Sequence, residues 1–281
     1  MGYADDLGLA HLLADSADSI STDRFKAQDL KIETKPDMTP VSDADTAIET
    51  AIRATLGRAR PRDGVTGEEF GDEPGSGSRR WVIDPIDGTK NFVRGVPIWA
   101  TLIALFEGNE PVVGVVSAPL LGRRWWAAKG TGAHAGRHRN RAERINVSGV
   151  RRIPNASLSY SNVPSWYQHG RGPQMLDLLD RAWRTRAYGD FYSYMLVAEG
   201  AVDAAAEPEV ALWDLAPLSL IVTEAGGTFT NLDGVPGPGG GSAVASNGLL
   251  HDELLRALDP TRDDGAETTH RLSDFRPRPT G

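Results

Sequence analysis

The sequence contains no cysteine. Disulfides, iron–sulfur clusters, thiolate zinc sites and cysteine nucleophiles are thereby excluded. Long apolar runs are missing as well. The longest candidate, Ile98–Phe106, is strand-sized, well short of the ~18 residues a membrane helix needs. The start, Met1-Gly-Tyr-Ala-Asp-Asp-Leu7, has no basic region followed by an apolar core, so no signal peptide is expected. Nor is there an excess of positive charge. The 30 Lys and Arg are outnumbered by 38 Asp and Glu, a net charge of −8, whereas nucleic-acid binding needs a positive field. No P-loop or Ser/His/Asp nucleophile motif is found. What is there is an ordinary globular composition, 40% hydrophobic and 24% charged over 281 residues, enough for two domains or one large one. A soluble cytoplasmic protein is expected.

Apolar spacing predicts a helix over 6–24. Residues 29–41, with Pro36 and Pro40, read as a loop or irregular ribbon. Ser42-Asp43-Ala44-Asp45 is a capping-box pattern opening a helix to about Leu56. Strands are expected at Trp81–Ile83, Trp99–Phe106, Val112–Ser117 and Arg124–Ala128, so residues 1–150 read as helices on an antiparallel sheet. Trp125 and Trp126 should pack the two faces of one strand. Residues 129–155 read as a basic connection. Strands and helices alternate over 151–259, which therefore read as an α/β half. That half includes helices near 175–183 and 192–199, and another around Leu215–Val222 closed by Gly226-Gly227. From Pro260 onward a disordered tail is expected, over 260–281.

The most informative segment is Trp81-Val-Ile-Asp84-Pro85-Ile86-Asp87-Gly88-Thr89-Lys90. An apolar strand runs into two carboxylates three apart, with Pro85 stiffening the backbone between them and Gly88 permitting a tight turn. Two like charges that close repel unless a cation sits between them, and a donor set made only of oxygens suits Mg²⁺ rather than zinc. The exposed amides after Asp87 suit phosphate oxygens. Gly67-Glu68-Glu69 offers a further carboxylate. Asp214 follows Trp213 and precedes an apolar helix, with Pro217 expected in its first turn. Each island alone also fits an ordinary turn, a solvated charge pair or a helix cap. His134 and His138 lie four apart in a Gly/Arg stretch without helical periodicity, and the basic run 137–144 reads as a solvated loop rather than an RNA contact.

Taken together, Gly67-Glu-Glu, Asp84-Pro-Ile-Asp-Gly-Thr89 and Trp213-Asp214 resemble the three signature motifs of the inositol monophosphatase family of Mg²⁺-dependent phosphatases, over about residues 6–258. The resemblance implies a layered αβαβα sandwich, two or three Mg²⁺ ions and possible homodimers. Position by position it implies Glu68, Asp84, the Ile86 carbonyl, Asp87 and Asp214 as metal ligands, with Asp84 bridging. It implies Glu68 and Thr89 as the pair that activates water. Lys35 and Asp43 match a lysine and an aspartate of the family's mobile early loop, linked to a weaker metal site. Asp87, Gly88, Thr89 and Lys90 match the phosphate turn, and Glu207 a carboxylate that holds the leaving portion of the substrate.

A narrower resemblance is carried by Asp84–Pro97, Arg124-Trp-Trp-Ala-Ala128, Arg186-Ala-Tyr-Gly-Asp-Phe191 and Ala206-Glu-Pro-Glu209. These are similar to the histidinol-phosphate phosphatases that actinobacteria have within this family. A carboxylate at Asp190 suits a substrate with an ammonium and an imidazole, since it would be uncompensated beside a neutral polyol. Arg186 is expected to support the phosphate, to hold Asp190, or to form a structural ion pair with it. The expected activity is hydrolysis of a small phosphate monoester, histidinol phosphate first. The alternatives are inositol phosphate, a broader range of sugar and nucleotide phosphates, or a non-catalytic phosphosugar- or RNA-binding relative.

Overall fold

The computed structural model describes residues 2–36 and 39–261. The chain opens with α1 (Ala4–Arg24), the hairpin β1 (Ile32–Thr34) and β2 (Pro40–Ser42), and α2 (Asp43–Ala59). The expected capping box opens α2: the Asp45 carboxylate accepts the Ser42 N–H at 2.9 Å, and the Ser42 hydroxyl accepts the Ala44 N–H at 3.3 Å. Then come β3 (Gly64–Gly67), β4 (Gly71–Glu73), β5 (Arg79–Asp87), the short α3 (Thr89–Arg94), β6 (Ala100–Glu107), β7 (Glu110–Ala118), β8 (Arg123–Ala128), β9 (Ala133–Gly136) and β10 (Glu143–Ile145). Strands β3 to β10 form one sheet in the order β10-β9-β8-β7-β6-β5-β3-β4. All neighbours are antiparallel except β3 and β5, which run parallel.

The remainder is β11 (Ser157–Ser159), α4 (Val163–Gln168), α5 (Gly172–Arg181), β12 (Arg184–Arg186), α6 (Asp190–Ala198), β13 (Ala204–Glu207), α7 (Leu212–Glu224), β14 (Thr228–Thr230), β15 (Ala243–Ser246) and α8 (His251–Leu258). Its sheet is mixed, in the order β12-β11-β13-β15-β14.

Three apolar layers hold this together. One lies between α1, α2 and the outer face of the large sheet, from Ala10, Leu13, Ile48 and Ile52 to Trp81, Ile103 and Trp126. The second fills the space between the sheets around α6 and α7 and takes Trp125, Phe191, Tyr194, Leu218 and Ala245. The third lies under α5 and α8. The architecture is thus the αβαβα sandwich, and Trp125 and Trp126 do face opposite sides of β8. Each large side chain so buried contributes about 1.5–3 kcal/mol.

Some expectations change. The 129–155 connection contains β9 and β10, short strands whose Gly and Arg content hides any alternation. The ribbon before Ser42 is a regular hairpin. Helix α7 starts two residues before Asp214, so Pro217 sits in its second turn, where it cannot donate to the Trp213 carbonyl. Among the described residues no helix is long and apolar enough to cross a membrane. The tail expected beyond residue 261 lies outside the described residues.

Candidate active site

The site grows out of β5. On a regular strand Asp84 and Asp87, three apart, would face opposite sides. The pairing of β5 with β6 slips between these two residues, at the point where Pro85 cannot donate to the ladder and its carbonyl is taken by the Thr101 hydroxyl at 2.8 Å. The bulge turns both carboxylates into one space. Asp84, Asp87 and Asp214 each bring an oxygen within 4.8 Å of the others.

Two helix starts complete the cluster. In the first turn of α7, Asp214 Oδ2 accepts the Ala211 N–H at 3.0 Å, which fixes the side chain as a cap. At the start of α6, the Phe191 N–H donates to Asp87 Oδ2 at 2.7 Å. Both Asp84 oxygens are buried and, among the described residues, have no hydrogen-bond partner.

Charge dominates the energetics here. Burial pushes the Asp84 carboxyl well above its ordinary range, and Glu68, Asp87 and Asp214 push it further. Asp87 is raised by burial, then by Asp190 and Asp214. Burial lifts Asp214 to about 7 despite the Ala211 N–H. Orphaned, mutually repelling carboxylate oxygens in a buried space form the donor set of a hard divalent cation. The residues present fit a Mg²⁺-class ion.

Glu68 follows β3, and its N–H donates to the Ile83 carbonyl at 3.2 Å, tying its turn to β5. Lys35 Nζ bridges Glu68 Oε1 and Glu69 Oε1, both at 2.7 Å. Burial opposes the charge on Lys35, but the two glutamates outweigh it and its pKa rises. Burial raises Glu69 to about 7, partly offset by Lys35. The Thr89 hydroxyl donates to the Ile86 carbonyl at 2.9 Å and has a longer contact, 3.5 Å, to Asp45 Oδ1.

Glu207, whose charge acts on Asp87, receives the Ser161 hydroxyl and, at 2.7 Å, the Tyr194 hydroxyl. Burial lifts its pKa to about 7. Asp190 is a non-glycine residue in the left-handed region, with φ 49°. Its Oδ2 lies 3.4 Å from Asn91 Nδ2, and burial raises its pKa while Lys90 lowers it.

The structure thus brings Glu68, Asp84, Asp87, Asp190, Glu207 and Asp214 into one cluster of interacting carboxylates, with Ile86 at the end of β5 and Gly88, Thr89 and the exposed Lys90 on the turn that follows. Asp43 goes elsewhere: it pairs with Arg24 at 2.7 Å. Asp45 takes the place beside Thr89, because residues two apart on a helix point about 200° apart. Arg186 is exposed on the edge strand β12, donates to the Thr185 carbonyl at 2.7 Å, and forms no ion pair with Asp190 among the described residues. Asp45, Glu69, Ser161, Tyr194 and Asn91 were not anticipated. A signal for Asp45 existed: it shares the buried face of α2 with Ile48 and Ile52 and is 0% exposed, an unusual setting for a carboxylate.

A family model described as "Inositol monophosphatase family" matches residues 7–262. A histidinol-phosphatase of Streptomyces coelicolor is 64% identical, covering 92% of this chain and 98% of that protein. A histidinol-phosphatase of Mycobacterium tuberculosis is 60% identical, covering 91% and 98%. Among solved structures, an inositol monophosphatase from Zymomonas mobilis superposes with a TM-score of 0.80 at 32% identity, covering 92% of this chain and 99% of that one.

Proposed function

The chain belongs to the inositol monophosphatase family, and on that premise we propose that it is a histidinol-phosphatase, hydrolysing L-histidinol phosphate to L-histidinol and inorganic phosphate in histidine biosynthesis. The observation that carries the substrate is a further carboxylate, Asp190, whose Oδ2 lies 3.4 Å from Asn91 Nδ2 and 3.4 Å from where a Cβ of Gly88 would stand. A neutral polyol would leave Asp190 uncompensated, whereas the ammonium of histidinol phosphate would pair with it.

Family members are metal-dependent, and two or three Mg²⁺ ions held by Glu68, Asp84, the Ile86 carbonyl, Asp87 and Asp214 are part of the proposal. Bound there, such ions lower the pKa of water and neutralise charge on the phosphoryl and leaving oxygens. The chain's own groups do the rest. Glu68 and the Thr89 hydroxyl hold the attacking water, and Glu68 takes up its proton. Asp45 orients Thr89 from behind. The amides of Gly88, Thr89 and Lys90 hold phosphoryl oxygens. Asp190 and Glu207 seat the amine end, so that the phosphoester stays in line with the water. Water oxygen bonds to phosphorus as the ester P–O bond breaks, and the alkoxide leaves to be protonated as the alcohol of histidinol. A cytoplasmic location and a homodimeric assembly belong to the same reading.

The test is a side-by-side measurement of kcat/KM on histidinol phosphate and inositol 1-phosphate under a Mg²⁺ titration. Preference for histidinol phosphate is expected. Preference for the inositol ester overturns the substrate, and Mg²⁺-independent or absent release of phosphate overturns the mechanism.

A further inference from the structure

The turn that carries Glu68 is gripped by α2 through a carboxylate outside the cluster. Glu49 is 0% exposed. Its Oε2 accepts the Glu69 N–H at 2.8 Å and its Oε1 accepts the Phe70 N–H at 3.2 Å. Arg53, one helical turn on, donates Nε to Glu49 Oε1 at 2.8 Å. The same guanidinium donates to the Gly71 carbonyl at 2.5 Å, reaches Glu73 at 3.4 Å and lies 6.0 Å from the centre of the Phe70 ring. Asp45, one turn earlier on the same stripe, stands beside Thr89. One helix face therefore meets Thr89 and the turn that carries Glu68.

Gly67 makes this possible. A Cβ at Gly67 would lie 2.0 Å from Glu49 Oε1 and 2.3 Å from its Cδ. Its φ is not in the left-handed region, so space rather than backbone conformation requires glycine here. A buried ion pair is a weak stabiliser compared with apolar packing of similar volume, so stability alone is a poor reason to keep Glu49 here. Geometry is a better one. The carboxylate captures two successive amides at the residues just after Glu68, and so holds the backbone of the turn that carries it.

We propose that Glu49, braced by Arg53, is a positioning residue: it locks the turn from Gly67 to Phe70 so that the Glu68 carboxylate is presented to the Asp84 side of the cluster, and thereby sets divalent-cation affinity. The inference deepens the reading of Glu68 as a metal ligand and rests on it.

The experiment is calorimetric titration of Mg²⁺ into the metal-stripped full-length chain, with the metal-free Tm recorded for each sample. The variants are Glu68→Gln, Glu49→Gln, Gly67→Ala, Glu49→Ala and the double variant Gly67→Ala/Glu49→Ala. Glu49→Gln keeps shape but turns an N–H₂ toward a donor, and it weakens Mg²⁺ binding about 10–100-fold, the usual cost of losing a group that orients a ligand. Gly67→Ala does the same when Glu49 is present. In the Glu49→Ala background it costs little more, because the carboxylate it would displace is gone. General destabilisation would instead make affinity follow Tm and the two losses add. If Glu68→Gln binds Mg²⁺ as the parent does, the ligand assignment fails and the brace with it. If Glu68→Gln loses affinity while Glu49→Gln does not, or if the Gly67→Ala loss is the same with and without Glu49, the brace alone is overturned. Should the Glu49→Ala pair fail to fold, Glu49→Gln and Gly67→Ala still decide.

Discussion

The Phe191 N–H donates to Asp87 Oδ2 at 2.7 Å, so the residue next to Asp190 is fastened to a carboxylate of the cluster. The start of α6 thus presents the carboxylate proposed to select the substrate and also holds Asp87 in place. Selectivity and cation binding share one helix end, which implies that substitutions at 190 reach the cluster through the backbone of 191.

Glu207→Gln is therefore the cleaner probe of selectivity. One of the Ser161 and Tyr194 hydroxyls can still donate to the amide oxygen and the other can accept from the amide N–H₂, while the charge is lost. KM for histidinol phosphate should rise about 10–100-fold, the value of one charge-assisted contact, with hydrolysis of an uncharged aryl phosphate nearly unchanged. Steady-state kinetics on both substrates checks this.

Asp87→Asn should separate stability from activity. Turnover falls below detection, yet the metal-free protein gains stability, because one of several mutually repelling buried carboxylates is gone. A gain of about 1 kcal/mol would raise Tm by about 2–4 °C at this chain length. Thermal melts in chelator, set beside phosphate release, test both halves.

The pH dependence of metal-free stability should run downward. Glu207 and Asp214 titrate near 7 in the folded chain, against about 4 when unfolded. Between these values the native state holds more protons than the unfolded one, so the contribution of these two groups to stability falls as pH rises from about 4 to about 7. Added Mg²⁺ compensates only ionised carboxylates, so the Tm increase it causes should grow over the same range. Melts at pH 5, 6, 7 and 8 with and without Mg²⁺ show whether it does.

Gly88→Ala should lose both stability and turnover. Gly88 has φ 84°, and an added Cβ would lie 3.2 Å from the Ile98 carbonyl and 3.4 Å from Asp190 Oδ2. The left-handed backbone alone costs an alanine about 1–2 kcal/mol. Chemical denaturation and kcat measure the two effects separately.

Asp84, Asp87 and Asp214 could be read from the chain alone because each stands where an apolar element ends, and such edges are visible in one dimension. Asp45 escaped because its capping role already accounted for it, and only the turn of α2 shows that its second oxygen reaches Thr89. Asp43 enters through the resemblance alone, as a match to an aspartate of the family's early loop, but it is the first residue of α2 and Arg24, nineteen residues back, claims it. The hairpin of β3 and β4 has no apolar alternation at its exposed strand, Gly71–Glu73. It is held by Glu49 and Arg53 from another element, which no local pattern reveals. Apolar periodicity alone gives helices on an antiparallel sheet and then an α/β half, and the αβαβα layering comes from the family resemblance, whereas β9 and β10 exist because β8 offers them an edge.

Helix α7 lies between the two sheets with Leu215 to Val222 all buried, and a side chain at Gly114 of β7 would meet the Pro217 backbone at 3.0 Å. The later part of the chain thus plugs the earlier part and delivers Asp214 through the seam. Neither fragment of a chain severed between residues 149 and 152 would retain a working catalytic centre, and activity would return only when the two pieces are mixed and reassociate.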